Sequence, residues 1–110
     1  MHRGYTLNYF IDFFQNIAPH RWTTGTLQEG ETVQKCALGH ALTDNRTGEV
    51  IDESVGNARA EALQSFLDGT TELINDGSSG FDHLGKTPRT RILRALRNRK
   101  RTGNVDGETS

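Results

Sequence analysis

The chain has 110 residues, a formal net charge of −1, 33% hydrophobic residues, 12 glycines and a single cysteine. That length fits one small domain around one small core, and a lone cysteine excludes an intrachain disulfide and favours a reducing, cytosolic setting. No apolar run approaches the ~18 residues of a membrane span, and Asp12 and Gln15 interrupt the first apolar stretch, which argues against a signal peptide.

The first predicted element is a helix over 6–18. Thr6 caps it, Leu7, Phe10, Phe14 and Ile17 recur at helical spacing with Phe13 beside them, and Pro19 ends it. Residues 20–35 hold Trp22, Gly25 and Gly30 between two short β-branched stretches, Thr23 to Leu27 and Thr32 to Gln34. They read as a hairpin or an irregular strand pair turning near Glu29-Gly30. Cys36 to Leu42 is apolar apart from His40 and reads as a short buried helix. Thr43 to Gly48 is a polar turn, and Val50 to Val55 is a strand or a loop.

A second main helix is expected over 57–68, with Asn57 as cap, Ala60, Leu63, Phe66 and Leu67 as its apolar stripe and Gly69 as its stop. Leu73-Ile74 is an apolar anchor, and Asn75 to Gly80 is a run of turn formers in which Asn75 or Asp76 closes an Asx-type turn. The third main helix covers 87–99: Thr87 caps it, Pro88 occupies its first turn, and Ile92, Leu93 and Leu96 share a face. From Thr102 onward there is no apolar periodicity, so 1–101 reads as the domain and 102–110 as a disordered tail. The expected fold class is therefore α+β, mostly helical: about three main helices, a short cysteine-bearing helix and minor strands.

Several of these stretches resemble a family of small proteins of uncharacterised activity encoded by bacteriophages and gut-type bacteria. The residues that carry the resemblance are Phe10 to Phe14, Trp22-Thr23-Thr24-Gly25, Cys36-Ala37-Leu38-Gly39-His40, Ile74-Asn75-Asp76-Gly77, and Thr87-Pro88 through Leu96. It spans roughly residues 5–98 and supplies no catalytic residues. It implies an accessory or host-interaction role. Related sequences often carry a second cysteine just before the first, where this chain has Lys35.

Charge is unevenly placed along the chain. Eight of the 13 lysines and arginines lie between Lys86 and Arg101, and eleven of the 14 acidic residues lie between Glu29 and Asp82. A basic end of this kind meets acidic surface within the fold or on a partner. On the third main helix Arg91, Arg94, Arg97 and Arg101 are placed opposite the apolar face, and Arg91, Arg94 and Arg97 are expected to stay exposed. That stripe is either a contact for phosphate or an acidic protein surface, or a solvated face that offsets the acidic middle of the chain. Trp22 either stacks on a base or fills the core.

Cys36 and His40, four apart on a helix, share a face, and with Asn75, Asp76 or His83 as orienting group they supply the residue types of a thiolate nucleophile site. The other reading is a buried structural cysteine in contact with Phe10 or Phe14. One cysteine among scattered histidines falls short of a zinc site, and Asn75 to Gly80 lacks the Gly-Lys-Ser/Thr of a phosphate loop. Neither a metal nor a cofactor is expected. The expected function is that of a non-catalytic binding protein engaging a host protein or an anionic ligand such as a nucleotide. A cysteine-dependent hydrolase or transferase is the alternative.

Overall fold

The structure, a computed structural model, describes residues 4–23, 36–44, 47, 49–78 and 80–107. Among them are five α-helices: α1 (Leu7–Gln15), α2 (Ala37–Ala41), α3 (Glu53–Phe66), α4 (Thr71–Asp76) and α5 (Pro88–Thr102). Short 3-10 turns at Pro19–Arg21 and Asp82–Leu84 complete the regular structure. The expected α+β class is overturned, because no sheet forms among the described residues. Extended pairing is confined to isolated bridges, such as the antiparallel one between Thr43 and Val50. The hairpin expected within 20–35 falls mostly outside the described residues.

Local chemistry sets the helix ends. Thr6 Oγ1 accepts from the Tyr9 N–H at 3.0 Å and starts α1, which stops at Gln15, earlier than the expected Ala18. The cap of α3 is Asp52, not Asn57: its Oδ1 accepts from the N–H groups of Ser54 and Val55 and from the Ser54 hydroxyl. Of the Val50 to Val55 stretch, expected as strand or loop, that cap puts Glu53 to Val55 in the first turn of the helix, while Val50 stays extended in its bridge with Thr43. Asn75 and Asp76, expected in a turn, are the last residues of α4, and the chain reverses only at Gly77 in the left-handed region, φ 71°. Thr87 caps α5 as expected, with its Oγ1 accepting from the Thr90 N–H at 3.2 Å.

α5 is the hub of the packing. It lies against α1, α4, α2 and the Asp82–Leu84 turn, while α2 bridges to α3 and α4. One core results, built from Phe10, Phe14, Ile17, Leu63, Ile74 and Leu96 with the other buried apolar side chains. Tyr5, Phe10, Phe14, Trp22 and His40 form a continuous ring series. Its successive centroids are 5.8, 6.2, 5.4 and 4.9 Å apart. Such offset and tilted pairs add to the burial of their area.

The segment expected as a tail begins inside α5, where Thr102 is the last helical residue. Gly103, at φ 86°, closes the helix with its N–H on the Arg99 carbonyl, and the Asn98 side chain donates to the Val105 carbonyl at 3.1 Å. Val105 thereby packs against the core. No helix among the described residues is long and apolar enough to cross a membrane.

Candidate functional site

The residues picked out for thiol chemistry lie on or beside α2 and α4, which pack together, with Cys36, His40 and Asn75 buried and Asp76 half-buried. Cys36 precedes α2 and is 5% exposed. Burial pushes its thiol up from the ordinary value; the N–H groups of Gly39 and Leu38 oppose this, and Glu72 and Asp76 reinforce it. A reactive thiolate requires the opposite shift. His40 is fully buried, and its Nε2 donates to the Arg21 carbonyl at 2.9 Å, since a carbonyl can only accept.

Asn75, expected to close a local turn, reaches 38 residues back along the chain. Its Oδ1 accepts from the Ala37 N–H at 3.0 Å, and its Nδ2 donates to the Thr23 carbonyl and to Asp76 Oδ1. The Asn75 amide therefore pins the start of α2 to the end of α4. Trp22 is 5% exposed and lies between the Phe14 and His40 rings, so its surface is used by the core. Among the described residues no group of three histidine, cysteine or acidic side chains is placed to hold a metal ion.

The arginine stripe divides into two populations. Arg91, expected to be exposed, is 7% exposed. Its Nε donates to the Ile74 carbonyl at 3.0 Å, its Nη2 to the Asn75 carbonyl at 2.7 Å and its Nη1 to the Gly85 carbonyl at 3.1 Å. Burial draws its guanidinium below the ordinary value, against the pull of Asp76. The reason for its position is geometric: a step of three residues falls about 60° short of a full turn, so an i, i+3 series winds around the helix. Arg91 thus shares the side of Ala95, which is buried. A side chain on Gly77 would also meet this arginine, with a Cβ only 3.0 Å from its Cζ.

Two further arginines behave like Arg91. Arg89 donates to the carbonyls of Ile17 and Gln15 at the end of α1. Arg59 is 9% exposed on α3; it donates to the carbonyls of Ala41 and Thr43 at the end of α2 and lies over the Phe13 ring at 4.5 Å. The last carbonyls of a helix have no partner within it. Arg89, Arg59 and Arg91 supply partners for α1, α2 and α4 respectively. Sequence reasoning passed over Arg59, although its spacing to Ala62 and Leu63 placed it on the core side of α3.

Arg94 and Arg97 are different. Both are exposed, and neither makes a hydrogen bond or an ion pair among the described residues. Together with Arg89, Arg101, Thr90 and Asn98 they line a shallow hollow of about 400 Å³ on the outer side of α5. The neighbouring cations are engaged: Arg99 pairs with Asp68 at 2.8 Å, Lys100 donates to Asn8, and Arg101 donates to Asn98. Cations in the last turn of a helix also complement its dipole, which accounts for Arg99, Lys100 and Arg101. Arg94 and Arg97 lie too far from the end of α5 for that explanation. Compared with known proteins, the chain matches no protein-family model, no curated protein and no solved structure.

Proposed function

We propose that this is a non-catalytic binding protein that takes an anionic partner, the phosphates of a nucleotide or nucleic acid, along the outer face of α5. The observation that carries the proposal is the pair Arg94 and Arg97, exposed in one hollow with Arg89 and Arg101 and without a carboxylate partner among the described residues. A guanidinium offers planar, paired donors suited to phosphate, and Thr90 and Asn98 bring polar groups into the same hollow. The near-zero net charge does not oppose this, because recognition here depends on a local patch. The resemblance to phage proteins adds a setting in which such a protein acts on host components. The cysteine-dependent alternative loses support, since its thiol is buried and its histidine and asparagine are engaged on backbone groups.

Fluorescence anisotropy with a labelled DNA duplex, a labelled single strand and a labelled nucleotide tests the proposal. At least one should bind at low salt, with affinity falling linearly in log–log form as salt rises. No binding by any of the three, or binding that ignores salt, would count against it.

A further inference from the structure

A second surface lies along α3. Two hollows, of about 710 and 570 Å³, meet at Leu42 and Asn57, which line both. Their floor is apolar: Leu38, Leu42, Ile51 and Ala60. Val50, 73% exposed, extends that floor into solvent at one end. The groove follows α3 from Glu53 to Gln64, eleven steps of the helical rise, or about 16 Å.

Three glutamates, Glu53, Glu61 and Glu72, also line it. All three are exposed, and among the described residues none has a hydrogen-bond or ion-pair partner and no lysine or arginine lines either hollow. Unpaired carboxylates beside an apolar trough are complementary to a segment with an apolar face and basic flanks.

We infer that this groove docks a basic amphipathic helix of about three turns from another protein. Its apolar residues, at i, i+3 or i+4 and i+7, lie on Leu38, Leu42, Ile51 and Ala60. Its lysines or arginines face Glu53, Glu61 and Glu72. A helix suits this site better than an extended strand, because the described residues offer no sheet edge for a strand to join. The occupant is not α5 of a second copy: α5 is basic, but it already buries Ile92, Leu93 and Leu96 in its own core.

The test uses the full chain and a labelled three-turn peptide with leucines at helical spacing and lysines elsewhere. Two controls are a scrambled peptide of the same composition and a version with glutamates for the lysines. The lysine peptide should bind, with both controls weaker by about tenfold or more. Glu53→Lys, Glu61→Lys and Glu72→Lys combined should weaken it by a similar factor, whereas Arg94→Gln with Arg97→Gln should leave it unchanged. Absence of binding, equal binding of the scrambled peptide, or indifference to the charge reversal would overturn the inference. So would sedimentation equilibrium showing that the chain covers this groove by self-association.

Discussion

Arg91 and Arg94 stand three residues apart on one helix and do opposite things. Arg91 turns inward and, like Arg59 and Arg89, ends on carbonyls at the C-terminus of a neighbouring helix. Arg94, like Arg97, ends in solvent beside a hollow. A small core with short helices leaves many terminal carbonyls without partners, and a guanidinium with its fan of donors can satisfy several at once. The presence of arginine therefore says little about function in this protein. What separates the two groups is whether the protein's own backbone already occupies the charge.

The sharpest way to break that comparison is to remove an inward arginine. Arg91→Ala removes the guanidinium from the carbonyls of Asn75, Gly85 and Ile74, of which Ile74 keeps the Gly77 N–H, and hydrogen bonds from charged groups contribute about 1.5–3 kcal/mol each. Loss of about 3 kcal/mol in urea unfolding is expected, with Arg91→Lys recovering only part, since an ammonium cannot span three carbonyls. A change below about 0.5 kcal/mol would show that the carbonyls find other partners.

Cys36 probes the same interior by pH. Its thiol is held protonated by burial, so its folded pKa lies above its unfolded one. The resulting contribution to stability is complete below the unfolded value, about 8.5, and is lost as pH rises through the folded value. Alkaline loss of stability should therefore be reduced in Cys36→Ala relative to the parent. Alkylation at neutral pH should be slow until the protein is unfolded. Rapid alkylation of the native protein would place the sulfur at the surface.

Thr87→Ala is a milder contrast, because it removes a local cap and not a long-range one. It should cost about 1 kcal/mol, as cap losses generally do. A larger loss would mean that the start of α5 depends on Thr87 for more than its first turn.

These contrasts also mark what was legible in the sequence. α1 and α5 were, because Thr6 and Thr87 are strong caps and the Phe10-Phe14 and Ile92-Leu93-Leu96 patterns repeat at helical spacing. The start of α3 was hidden by β-branched neighbours: Val50, Ile51 and Val55 suggest extended chain, which holds for Val50 in its bridge, and only the Asp52 carboxylate on the following N–H groups turns Val55 into helix. α4 is six residues long, too short to show a period, so Asn75-Asp76-Gly77 read as a turn when only Gly77 is one. The bond from Asn75 to Ala37 spans 38 residues and leaves no local signal. For the candidate site, the basic character of α5 was legible, but which of its arginines face outward was not, because the i, i+3 series winds from the core side to the solvent side.

The most direct test of that division is the double variant Arg94→Gln with Arg97→Gln, measured twice on the same sample. Urea unfolding should give a stability within about 0.5 kcal/mol of the parent, as expected for exposed side chains without partners. Anisotropy at low salt with whichever labelled DNA duplex, single strand or nucleotide the parent binds should show that binding lost, with a shallower salt dependence in any residue that remains. A destabilised variant would place these arginines among the structural ones. A stable variant that binds as the parent does would contradict the assignment of the α5 face as the binding surface.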